Sequence, residues 1–90
     1  MRVCFCFDFI IKYIGRYALL LPIGENSFSG AVLLNHSSAT IIDYLKNSTF
    51  EETITLISKK YNISFEKAQC DCEAIVSALV KGGIINNGIQ

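Results

Sequence analysis

Ala31-Val32-Leu33-Leu34-Asn35-His36-Ser37-Ser38-Ala39-Thr40-Ile41-Ile42 is the stretch in which the chain changes its hydrophobic period. Residues 31–34 form a short apolar run, which reads as a strand short enough to lie at a sheet edge. From Asn35 onward, Ile41, Ile42 and Leu45 fall on one stripe, which is the spacing of a helix. Asn35 or Ser37 can start that helix by accepting backbone N–H bonds, and Asn47-Ser48 breaks it. The switch divides the chain into a strand-forming half and a helix-forming half.

Before the switch lie two further runs. Residues 9–14, Phe-Ile-Ile-Lys-Tyr-Ile, are β-branched and aromatic, and residues 17–23, Tyr-Ala-Leu-Leu-Leu-Pro-Ile, are similar. Gly15-Arg16 joins them with two residues and places glycine first, as a type II′ hairpin turn requires. Pro22 sits near the end of its run, where a missing N–H costs little. Residues 24–30 have the composition of a loop. After the switch, Thr49-Phe50-Glu51-Glu52 fits a capping box, and Phe50, Ile54, Ile57 and Tyr61 share one helical face. Lys59 and Lys60 close that helix, where cations complement the backbone dipole. Asn62-Ile63-Ser64 is a tight turn, with Ser64 as the next N-cap and Ile63 placed to staple onto Ala68. The third helix is expected over residues 65–81, burying Phe65, Ala68, Cys72, Ile75, Val76 and Leu79 and ending at Gly82-Gly83. Ile84-Ile85 then folds back or adds a short strand. The expectation is an α+β fold: a three-stranded antiparallel sheet followed by three helices, in a winged helix-turn-helix-like arrangement.

The chain has 90 residues, the length of one domain, and residues 1–90 are read as a single unit. Apolar residues make up 51% and charged residues 18%, and the mean hydropathy is +0.39. A core this small cannot hide that much apolar surface, so the excess points to a face that meets a partner. Eight basic and eight acidic side chains cancel, which argues against strong non-specific attraction to nucleic acid or anionic lipid. The first eight residues have one arginine and an apolar run cut by Asp8, unlike a signal peptide. The longest unbroken apolar stretch, residues 17–23, is far too short to cross a membrane. The cytoplasm is the expected compartment, with the four cysteines reduced.

Few residues carry a chemical signature. Cys4 and Cys6 would share a side if extended, whereas Cys70 and Cys72 on a helix face apart. A four-thiolate zinc site needs a different spacing, so no metal is expected, with Cys72 in the core and Cys70 partly exposed. His36, the only histidine, stands beside Ser37 and Ser38, but no oxyanion loop or third partner accompanies them, and a capping role fits better. No dinucleotide, phosphate-loop or zinc-protease motif is present, so neither catalysis nor a cofactor is expected. The helix that would read DNA carries Lys67 and Lys81 against Glu66, Asp71 and Glu73. Phosphate contacts need the opposite balance. A winged-helix DNA-binding domain or a small protein–protein interaction module remains the alternative. The favoured reading is peptide binding, in which a partner segment adds as a strand beside residues 31–34.

Several segments together resemble the PqqD family and the wider group of precursor-peptide recognition (RRE) domains of RiPP biosynthesis, over roughly residues 9–85. The run Tyr17-Ala18-Leu19-Leu20-Leu21-Pro22-Ile23-Gly24-Glu25 is similar to the family's strand ending in Pro-x-Gly. Leu34-Asn35-His36-Ser37-Ser38-Ala39-Thr40-Ile41-Ile42 resembles its L-N-E-T-x-A-x-I-W segment, and residues 49–54 its T-x-E-E-[LI] helix start. Tyr61, Ala68, Asp71, Ile75, Leu79 and Gly83-Ile84 fall on its C-terminal pattern. His36 stands where the family has an acidic residue, Ile42 where it commonly has tryptophan, and Lys46-Asn47 where it has Asp-Gly. The resemblance implies a peptide chaperone that performs no chemistry. Such a domain binds the leader peptide of a ribosomally made precursor and presents it to a modifying enzyme, such as a radical SAM protein or a leader peptidase. It implies a leader strand beside Ser29, Gly30, Ala31, Val32 and Leu33, with Asp71, Ala74, Ile75 and Ala78 as the helical wall and Lys67 pairing with an acidic leader residue. Nucleic acid and membrane are not expected partners; a homodimer is possible through the exposed strand.

Overall fold

The computed structural model describes residues 3–6, 8–23 and 32–89, with the side chains of 86–89 left aside. Its element order is β1 (Val3–Phe5), β2 (Asp8–Ile14), β3 (Tyr17–Ile23), β4 (Val32–Asn35), α1 (His36–Asn47), α2 (Phe50–Tyr61), α3 (Phe65–Lys81) and β5 (Ile85–Ile89). The expected three-stranded antiparallel sheet is present, in the order β2-β3-β4, and three helices follow it in an α+β fold. None of the described helices is long and apolar enough to cross a membrane.

The hairpin between β2 and β3 follows from Gly15. Its φ of 56° is open to glycine at no steric cost, while Arg16 keeps a negative φ, the combination of a II′ turn. The turn fixes the register, Ile14 opposite Tyr17 and Ile10 opposite Leu21. That register puts Phe9, Ala18 and Leu20 on the inner face, at 1%, 0% and 0% exposure. Pro22 lies on the central strand, but β4 pairs only with Tyr17 to Leu20, so proline falls beyond that ladder. Counted from the two-residue turn, Phe9 and Pro22 form a non-hydrogen-bonded pair, so the missing N–H faces away from β2 and breaks no ladder bond there. The Lys46 ammonium donates to the Phe9 carbonyl at 2.7 Å and lies 4.5 Å from the centre of the Phe9 ring. This contact ties the last turn of α1 to β2 through a hydrogen bond and a cation–π interaction.

The helices start and stop where their caps dictate. Asn35 Oδ1 accepts the Ser38 N–H at 2.8 Å and opens α1. Thr49 and Glu52 form the reciprocal capping box of α2, and Ser64 caps α3 through the Lys67 N–H. Asn62 ends α2 in the left-handed region, at φ 54°. At the end of α3, the Gly83 N–H reaches the Val80 carbonyl and the Ile84 N–H reaches that of Leu79, with Gly83 at φ 76°. These two bonds make a Schellman motif, and Ile84 and Leu79 are both buried, as that motif's hydrophobic contact requires.

The core joins the inner sheet face to all three helices: Phe9 and Leu20 from the sheet, Ile42 and Leu45 from α1, Ile57 from α2 and Cys72 from α3. Full burial of side chains the size of Leu, Ile or Phe contributes roughly 1.5–3 kcal/mol each. Thr53 is buried with them, the one polar residue so placed among the described residues, and its hydroxyl donates to the Thr49 carbonyl at 2.9 Å.

Two features depart from expectation. The short strand allowed for at Ile84-Ile85 is present as β5, but its partner was not expected: β1 pairs with it antiparallel in a second sheet, Val3 opposite Ile89 and Phe5 opposite Ile85. It is fastened by the Cys6 N–H to the Ile84 carbonyl at 2.9 Å and by an edge-on stack of Phe5 on Phe9. The other departure is Phe65, expected in the core but 49% exposed, with Tyr61 at 38%. Both stand at the α2–α3 turn, at the end of the helical layer, where sharing a face with core residues does not secure burial.

Candidate functional site

An open groove of about 250 Å³ lies where the end of β4 enters α1 and the middle of α3 passes beside it. Its lining is Asn35, Ser37, Ser38, Ile41, Asp71, Ala74 and Ile75. Ile41, Ala74 and Ile75 supply aliphatic surface. Asn35, Ser37, Ser38 and Asp71 supply an amide, two hydroxyls and a carboxylate. The N-cap of α1 fixes the polar end, because Asn35 is committed to Ser38. Ile41 is 4% exposed, so it is a rigid wall. Such a cleft, apolar in part and rimmed by hydrogen-bonding groups, matches the chemistry of a peptide, whose backbone is polar and whose side chains alternate.

The residues singled out from the sequence fall into three groups. Asp71, Ala74 and Ile75 come together in the groove, with Ile75 only partly buried and therefore not simply a core residue. Lys67 stands on the same helix, but its ammonium donates to Asp71 Oδ1 at 2.9 Å. That hydrogen bond raises the pKa of Lys67 and makes Lys67 and Asp71 a zwitterionic pair at the groove's rim. Ala78, one turn beyond Ala74, is exposed and lies outside the lining.

On the strand side, Val32 is partly buried on the inner face of β4, while Leu33 points outward at 64% exposure. Ser29, Gly30 and Ala31 lie outside the described residues. Among the described residues β4 is an edge of its sheet, and it joins the groove lining at Asn35 rather than along its length. The lining residues the sequence did not single out as binding residues, Ser37, Ser38 and Ile41, depend on how α1 crosses α3. The only local sign of them was the cap at Asn35.

Other candidates have structural roles. His36 stacks edge-on against Tyr13, with ring centres 5.1 Å apart, and its carbonyl accepts the Thr40 hydroxyl. The cap of α1 is Asn35, the residue before it. Cys72 is fully buried and Cys70 exposed, as their spacing on a helix requires. Burial first, then the neighbouring Asp71 and Glu73 charges, pushes the Cys72 thiol up to about 11, which makes it a poor nucleophile and metal ligand. Among the described residues no three His, Cys, Asp or Glu side chains converge as a metal site. Comparison with family models, with curated proteins and with solved structures returned no match.

Proposed function

We propose that this chain is a non-catalytic peptide-binding domain that captures the leader segment of a ribosomally synthesised precursor in the cytoplasm and holds it for a modifying enzyme. The observation that carries the reading is the groove. Asp71, Ala74 and Ile75, the helix positions implied by the resemblance to the PqqD family, line it beside an edge strand. An extended leader pairs its backbone with β4 and places an apolar side chain between Ile41, Ala74 and Ile75. The Lys67–Asp71 pair offers a donor and an acceptor at the rim, so an acidic leader residue competes with Asp71 for the ammonium rather than meeting a free cation.

The mechanism is one of concentration. A leader held on this domain keeps its core segment near the active site of a radical SAM protein or a leader peptidase at an effective concentration of roughly millimolar. Ordering a flexible leader costs free energy, so affinity rests on one or two buried anchors. The test is fluorescence anisotropy with synthetic leader peptides from precursors encoded beside this gene. Dissociation constants in the micromolar range or tighter are expected. Failure of every such peptide to bind sinks the reading, and binding of duplex DNA at low salt in their place supports the winged-helix alternative.

A further inference from the structure

The outer face of the three-stranded sheet carries the surplus of apolar surface that the composition implies. Strand alternation sends Phe9, Ala18 and Leu20 into the core and their neighbours outward. On that outer face Ile10, Ile14, Tyr17, Ile23 and Leu33 are 46–64% exposed. The register sets Ile10 against Leu21, Ile14 against Tyr17 and Leu33 against Leu19, so the side chains form one continuous field. Its polar members are few: Asp8 and Asn35 at strand ends, and Lys12 on the edge strand β2, between Ile10 and Ile14 and opposite Leu19. An antiparallel sheet that faces water normally alternates apolar-in with polar-out, and this one does not.

We propose that this face packs against the same face of a second copy, giving a two-fold dimer built as a six-stranded sandwich. Size and composition both argue for that occupant. The five exposed side chains leave roughly 500 Å² of apolar surface, near the top of the range of about 300–600 Å² that a typical monomer shows in its largest patch. Two such faces bury roughly 1,000 Å² from these side chains alone. With Leu19, Leu21 and the margins, the total reaches the class of about 1,200–2,000 Å² in which specific interfaces lie. A face this rich in apolar side chains, with Lys12 on the edge strand able to extend its ammonium past the rim, suits a homodimer interface, which is more apolar than that of transient partners. Two sheets in aligned packing interdigitate inner side chains of this kind. Apart from Asn35, which stands at the margin of this face, the groove is lined by α1 and α3, so the dimer leaves two peptide sites open. The proposal does not depend on what those sites bind.

Sedimentation equilibrium on the purified chain tests it. The expected mass is twice the 10.0 kDa of the chain, at micromolar concentration. Ile10→Lys and Leu33→Lys, both at exposed positions, are expected to keep the wild-type circular dichroism and to weaken self-association at least tenfold. Ile10 is on β2, two strands from β4, so a dimer formed by β4 edges survives Ile10→Lys whereas the face-to-face dimer does not. A wild-type protein that remains monomeric up to near-millimolar concentration overturns the proposal, and so does a dimer unaffected by Ile10→Lys.

Discussion

Ala74→Leu fills the groove from its α3 wall. The site is exposed, and alanine and leucine are both strong helix formers, so the expected change in folding stability is within about 0.5 kcal/mol. The effect on binding is larger. Leucine adds three carbons, roughly 80 Å³ at the volume of a methylene, to a groove of about 250 Å³. About a third of the space is then lost, and lost beside Ile41 and Ile75, where an apolar anchor is expected to sit. Burying a side chain of valine to leucine size is worth roughly 1.5–3 kcal/mol, so its displacement weakens the dissociation constant by about 10- to 150-fold. The assay is calorimetric titration of wild type and variant with the same leader peptide. Gln69→Leu is the control, because Gln69 lies about 140° around the same helix from Ala74, outside the lining. Undiminished binding by Ala74→Leu, or equal loss in both variants, refutes the placement of the anchor.

Three further outcomes follow from the scaffold. Thr49→Ala removes the acceptor of the Glu52 N–H and half of the capping box of α2, and urea unfolding should show a loss of about 1 kcal/mol. Gly83→Ala forces a Cβ into the left-handed region at φ 76° but meets no atom within 4 Å, so its cost is backbone strain alone, about 1–2 kcal/mol, and Gly83→Asn should cost less. Cys72 gives stability a pH dependence: its folded-state pKa, about 11, lies above the ordinary 9.0, so the unfolded chain loses this proton first as pH rises. The contribution is intact below pH 9 and is lost between 9 and 11, to a total of about 2–3 kcal/mol. The slope of stability against pH in that window should be steeper in wild type than in Cys72→Ala, and equal slopes contradict the assignment.

What was legible in the sequence is what short-range physics determines. Gly15-Arg16 announced its turn because only one residue there needs positive φ, and the order of glycine before arginine selects the turn type. Thr49 and Ser64 announced two helix starts because a cap is satisfied within three residues, and the first helix was narrowed to Asn35 or Ser37, of which Asn35 is the cap. The pair of Lys67 and Asp71 was not read from the sequence, which assigned Lys67 to an acidic leader residue, although residues four apart on a helix meet.

What stayed hidden depends on distant partners. β1 is three residues long and becomes a strand because β5, some eighty residues on, lies beside it. Ile85-Asn86-Asn87-Gly88-Ile89 has little β-propensity of its own. Ser37, Ser38 and Ile41 entered the site through the crossing of α1 and α3, which no local pattern encodes. The exposure of Phe65 marks the limit of periodicity, which identifies a face but not how far along it the neighbouring layer reaches.

The most direct test of the central claim is a backbone-amide NMR titration of the isotopically labelled chain with the leader peptide of a neighbouring precursor. The account predicts shifts concentrated at Val32 to Ser38 on β4 and the start of α1 and at Asp71, Ala74 and Ile75 on α3, with α2 and the outer face of β2 unmoved. Shifts confined to other surfaces, or none with any neighbouring leader peptide, would contradict it.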